Sequence, residues 1–139
     1  MRLNLGFQFA LYAVFSVLLV TGALWLYADQ MKVAVDTGET WQAISANLIM
    51  VHGGVAMITL MFLGALVPLH IRLGWRSRRN RVSGAAMASF NAVLVVTAFG
   101  LYYTGSEVLR PWMSIIHTGF GVCLPFLFLV HVFVGKRTA

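Results

Sequence analysis

Four long apolar runs, separated by short polar segments, dominate this sequence. They cover residues of about 7–27, 44–70, 83–103 and 112–134, and none of them contains Asp, Glu, Lys or Arg. Each run reaches the roughly 20 residues that an α-helix needs to cross the hydrocarbon core of a bilayer. The sequence therefore predicts an all-α integral membrane protein, in which residues 1–139 form one transmembrane domain.

The composition supports this interpretation and excludes several others. Hydrophobic residues make up 60% of the chain and charged residues only 10%. The net charge of +6 is typical of nucleic-acid-binding proteins, but the basic residues lie outside the apolar runs, so we expect no nucleic-acid partner. Cys123 is the only cysteine. It cannot form an internal disulfide, and the Cys-x-x-Cys-His signature of covalently attached haem is absent.

The charged segments between the runs predict the topology. Arg72–Ser83 contains five arginines and no acid, and the chain ends in a basic tail with Lys136 and Arg137. Short basic segments of this kind mark the cytoplasmic side. The first connection, Ala28–Gln42, is acidic, with Asp36 among its acids, and is expected outside. These features predict an up-down four-helix bundle with cytoplasmic N- and C-termini, as a multi-pass protein of a bacterial inner membrane.

All four histidines lie in the second and fourth runs, two in each. His52 and His70 are 18 residues apart, and His117 and His131 are 14 residues apart. At about 100° per residue, both spacings return close to the same face of an α-helix. The second and fourth spans run parallel in an up-down bundle. We therefore expect two imidazole pairs at two depths.

Paired imidazoles inside a membrane predict haem binding. Neutral imidazole is a common axial ligand of haem iron, and a bis-histidine haem has no open coordination site, which suits electron transfer. We expect His52 and His117 to ligate the iron of an outer haem, and His70 and His131 that of an inner haem. Both haems would be non-covalently bound b-type haems. No catalytic residue is expected.

Polar residues near these histidines have plausible supporting roles. Arg110 at the outer boundary and Arg72 at the inner one are candidate contacts for the haem propionates. Thr59, Ser114 and Thr118 are candidates to orient the imidazoles, although such hydroxyls more often bond to the backbone of their own helix.

The two histidine spacings do not match each other. They differ by about 6 Å of helical rise. Both pairs can meet an iron only if the helices tilt differently or if Pro68 bends the second span. A failed pair is therefore expected at His70. No internal repeat is detectable beyond a loose likeness between the two histidine-bearing runs.

The span count and the positions of His52, His70, His117 and His131 resemble small four-helix diheme b-type cytochromes of the cytochrome b561-like and formate dehydrogenase gamma-like kind. In several of those families the first helix also supplies a ligand, whereas here it has no histidine. The resemblance implies electron transfer between the quinone pool and a redox partner. That partner would be a periplasmic or membrane protein, such as a c-type cytochrome or a dehydrogenase subunit. The chain would be a subunit of a larger oxidoreductase rather than an enzyme by itself.

Two other classes of function remain open from the residues alone. Intramembrane histidines also bind zinc or copper, so a non-haem metal-binding or transport protein is one alternative. A structural membrane anchor, whose histidines form hydrogen bonds between helices, is the other. Iron and colour in the purified protein distinguish the haem hypothesis from both.

Overall fold

The computed structural model describes residues 4–34, 38–78 and 80–137, so Asp36, Thr37 and Arg79 lie outside the described residues. Within these ranges the structure is helical and contains no strand. The elements are α1 (Leu5–Ala34), α2 (Gly38–Leu66), a π-helical segment (Val67–Ile71), α3 (Arg72–Arg76), α4 (Arg81–Tyr103) and α5 (Leu109–Arg137). The all-α prediction is confirmed for the described residues.

Four helical stretches are long and apolar enough, by length and composition, to cross a membrane. They are Leu5–Lys32, Glu39–Arg76, Arg81–Tyr103 and Leu109–Arg137. The chain is organised as two compact helical units, Met1–His70 and Ile71–Ala139. That all four spans form one domain stays a prediction.

The first unit is an antiparallel hairpin of α1 and α2. At one end of the hairpin the rings of Phe7 and Phe62 lie 5.3 Å apart, and at the other end those of Tyr27 and Trp41 lie 5.9 Å apart. Since Phe7 opens α1 whereas Phe62 closes α2, these contacts fix an antiparallel register. Small side chains such as Ala28 and Ser45 are buried between the helices, and small residues allow helix backbones to approach closely.

The second unit contains an antiparallel hairpin of α4 and α5. The rings of Phe90 and Phe120 lie 4.6 Å apart near its middle. Toward the short 104–108 connection, the side chain of Met113 fills the space beside Gly100, where any Cβ would overlap it. At the opposite end Arg81 donates two hydrogen bonds to the carbonyl of Trp75 and lies over its ring. The arginine thereby joins α3 to the start of α4.

Most large apolar side chains of the described residues are exposed. The buried hydrophobic residues are only Leu11, Ala28 and Leu124, whereas residues such as Met57 and Phe126 are about 70% exposed (71% and 69%). In water, an apolar surface of this extent promotes association. In a bilayer the acyl chains cover it at no cost. The exposure pattern therefore agrees with the membrane-spanning lengths.

The helices extend beyond the apolar runs, and the predicted connections are correspondingly too long. The acidic connection was expected over Ala28–Gln42, but α1 continues to Ala34 and α2 begins at Gly38. An ion pair between Asp29 and Lys32, three residues apart, supports the last turns of α1. Hydropathy marks only the part of a helix suited to lipid, so the polar helical ends are missed.

The distortion expected at Pro68 is present as a π-helical turn. The segment Val67–Ile71 follows directly on α2. A proline lacks the N–H needed for an α-helical bond and clashes with the carbonyl four residues earlier, and a wider turn relieves both problems. Each π-turn holds one residue more than an α-turn. The spacing from His52 to His70 therefore no longer corresponds to whole α-helical turns, and their common face stays a prediction.

Candidate histidine site

His52 lies on α2, half-buried against α1. Its Nδ1 is 3.0 Å from Oγ1 of Thr21, which is itself only 8% exposed. The Thr21 hydroxyl also lies 2.7 Å from the carbonyl oxygen of Val17, one turn back on its own helix. Gly22 leaves room for the ring, because a Cβ there would lie 3.2 Å from Cε1 of His52. The neighbouring helix thus supplies both a polar partner and the space for the imidazole.

His117 has the same surroundings in the second hairpin. Its Nδ1 is 2.9 Å from Oγ1 of Thr97, a buried residue of α4. The Thr97 hydroxyl lies 2.7 Å from the carbonyl oxygen of Val93. Ala98 follows Thr97, as Gly22 follows Thr21. Two threonines on two different helices therefore hold two histidines in the same way.

His131, near the other end of α5, has a third contact of this type. Its Nδ1 lies 3.1 Å from Oγ of Ser83, in the first turn of α4. The Ser83 hydroxyl is 3.3 Å from the carbonyl oxygen of Asn80. Gly84 follows, and a Cβ there would lie 4.0 Å from Cε1 of His131. Both histidines of α5 are thus contacted by hydroxyl groups of α4.

His70 lies in a different setting. It belongs to the π-helical segment and is exposed rather than half-buried. Phe62 packs beside Phe7, and His70 lies eight residues further on, whereas the described part of the opposite strand of the hairpin ends at Asn4. The described part of α1 therefore does not reach the level of His70.

The polar residues named from the sequence take other positions. Arg72 is the first residue of α3, and Arg110 lies in the first turn of α5; both are exposed, and their contact with propionates stays a prediction. Thr59 is buried, but its hydroxyl donates to the carbonyl of Val55 on its own helix. The hydroxyl found beside His117 is that of Thr97, not of Ser114 or Thr118.

The structure reveals a signal that sequence reasoning missed. Each hydroxyl residue that contacts a histidine is followed by a small residue: Thr21-Gly22, Ser83-Gly84 and Thr97-Ala98. The histidine-bearing helices also repeat a pattern, since His70 and His131 are both followed by x-x-x-Gly-x-Arg. The two hairpins therefore share more than a loose likeness. Thr21 and His52 are 31 residues apart but Thr97 and His117 only 20, so the repeat is out of step along the chain.

No family model, curated protein or solved structure matches this chain. Among the described residues, no three or more side chains of His, Cys, Asp or Glu gather in a group able to hold a metal ion. The resemblance to diheme b-type cytochromes stays a prediction.

Replacing Gly22 with alanine is expected to displace the His52 ring. The added methyl carbon would lie 3.2 Å from Cε1 and 3.6 Å from Nδ1, closer than ordinary contacts between carbon atoms. Ring ¹⁵N chemical shifts of the full chain in detergent should change for His52 and not for His117. Gly54→Ala on α2 is the matched control, since nothing described lies within 4 Å of its Cβ. Equal shifts in both variants would contradict the contact between Gly22 and His52.

Proposed function

We propose that this protein is a diheme b-type membrane cytochrome. It transfers electrons between quinone or quinol in the bilayer and a redox partner protein. The four apolar helices place it in a membrane, with a bacterial inner membrane as the setting that the charge pattern favours. The basic residues around α3 and at the C-terminus put both chain ends in the cytoplasm.

The observation that carries this proposal is the shared setting of three of the four histidines. His52, His117 and His131 lie on helices of membrane-spanning length, and Nδ1 of each contacts a hydroxyl of the neighbouring helix. Histidines that bind metals through one ring nitrogen are commonly held at the other by a fixed hydrogen-bonding group. Polar residues in membrane helices are costly, and they mark functional sites. Three such settings in one short chain favour ligands over chance burial.

The donor set fits haem better than other metal groups. Haem iron needs only two axial ligands from the protein, and imidazole is the usual one in b-type cytochromes. We assign His52 and His117 to the outer haem and His70 and His131 to the inner haem, on the sequence spacing. Arg110 lies two turns before His117, within about 20° of its helix face. It remains the candidate for an outer propionate, and Arg72 remains the candidate for an inner one.

A haem of this kind supplies one-electron reduction and oxidation at its iron. The chain positions the imidazoles, excludes water from them with apolar helices, and offers a path through the bilayer. The chain is then a subunit of a larger oxidoreductase. Its partner is a periplasmic or membrane redox protein, such as a c-type cytochrome or a dehydrogenase subunit.

The visible spectrum of the protein purified from membranes tests this function. We expect a Soret band, a sharp α-band after reduction with dithionite, and about two haems per chain. Extraction with acidic acetone should release the haem, because it is not covalently attached. A colourless protein that is reconstituted with haemin and still binds none excludes the cytochrome. Zinc or copper in its place, measured by elemental analysis, points to the non-haem alternative.

A further inference from the structure

The three hydroxyl–histidine contacts have a direction that follows from the proton on each hydroxyl. A hydroxyl group has one proton to donate. Oγ1 of Thr21 and Oγ1 of Thr97 both lie 2.7 Å from a carbonyl oxygen of their own helix, which is the usual length of a strong O–H···O bond. A carbonyl cannot donate, so the hydroxyl proton points to it. The threonine oxygen is then the acceptor toward histidine.

The imidazole must therefore supply the proton of the bond to threonine. The Nδ1 atoms lie 3.0 Å from Thr21 and 2.9 Å from Thr97, both within the range of N–H···O bonds. Nδ1 carries the hydrogen, and in a neutral imidazole the lone pair is then on Nε2. At Ser83 the distances are 3.1 Å to His131 and 3.3 Å to the carbonyl oxygen of Asn80, so the same arrangement is present there but with longer bonds.

We infer that Thr21, Thr97 and Ser83 are positioning residues for His52, His117 and His131. Each one keeps the histidine proton on Nδ1 and fixes the ring rotation, so that Nε2 is the ligand atom. This inference rests on the proposed function, since it concerns the same imidazoles as haem ligands. The small residue after each hydroxyl leaves space for the ring beside the helix.

The hydroxyl also affects the electron density of the ligand. An acceptor at Nδ1–H makes the imidazole a stronger donor through Nε2. A stronger donor stabilises ferric iron relative to ferrous iron and lowers the reduction potential. Removal of the hydroxyl should therefore raise the midpoint potential of the haem concerned.

Valine and serine substitutions separate this role from simple packing. Thr21→Val and Thr97→Val remove the acceptor and keep the shape of the side chain, whereas Thr21→Ser and Thr97→Ser restore an acceptor. Thr59→Val is the matched control, because Thr59 is equally buried and its hydroxyl also donates to its own helix, at Val55. Ser83→Ala completes the set.

Redox titration and EPR of the full haem-loaded protein in detergent are the measurements. For Thr21→Val and Thr97→Val we expect a raised midpoint potential for one haem, an altered ferric low-spin signal, and haem binding weaker by about 10–100-fold. The serine variants and Thr59→Val should match the wild-type protein. A wild-type protein with two haems whose two valine variants match Thr59→Val overturns this inference and leaves the cytochrome intact. A wild-type protein that binds no haem overturns the proposed function itself.

Discussion

Replacing His117 with alanine is expected to lower the haem content of the purified protein from about two per chain to about one. His117 is the best supported of the four ligands, since it is half-buried, its Nδ1 is held 2.9 Å from Thr97, and it lies well inside a membrane-length helix. Alanine removes the iron ligand and leaves no other nitrogen at that position. The haem then dissociates or becomes high-spin.

Haem per protein, measured as the pyridine haemochrome, and the low-spin EPR signal report this loss. Cys123→Ala is the control on the same helix, because Cys123 is exposed and its replacement removes no proposed ligand. It should keep both haems. Full retention of low-spin haem in His117→Ala, with normal amounts of protein in the membrane, would remove His117 from the ligand set.

Double variants then test which histidines share an iron. Two residues that act on one site show non-additive effects, whereas residues at independent sites show additive ones. If His52 and His117 bind the same iron, as their spacing predicts, the double alanine variant loses no more haem than either single variant. His117→Ala combined with His131→Ala should instead lose both haems.

The helices were predictable from the sequence because hydropathy depends on composition alone. Four uncharged runs of membrane length gave the number and type of the elements. The ends were not predictable in the same way, since a helix continues into the polar interface wherever its backbone bonds and local ion pairs allow. The helical turn that contains Asp29 and Lys32 shows this at the end of α1.

The partners of the histidines were not predictable from periodicity. Periodicity tells which residues of one helix share a face, but not which residue of another helix lies opposite them. Thr59 was therefore named as a partner of His52, whereas the contact in the structure is with Thr21 of α1. Only the packing register of each hairpin supplies that information. The dipeptides that carry the hydroxyls become meaningful once this register is known.

Replacing His70 with alanine is expected to remove the other haem, with about one haem per chain remaining. The residue lies in the π-helical segment at Pro68. Compared with an uninterrupted α-helix, the extra residue of the π-turn changes the direction of His70 by up to about 100°. The π-turn also shortens the rise between His52 and His70, which reduces the mismatch with the 14-residue spacing of α5. We therefore expect the π-turn to be part of the inner ligand geometry.

Pro68→Ala tests that role without deleting the ligand. Alanine restores the backbone N–H at this position and allows α-helical bonding to continue, which would turn His70 away from its present direction. We expect the inner haem to be lost or become high-spin, as in His70→Ala and His131→Ala. Pro125→Ala is the control, since Pro125 lies inside α5, which is α-helical throughout. If His70→Ala keeps two low-spin haems while His131→Ala loses one, the inner iron has another partner, and the pairing drawn from the 18-residue spacing is wrong.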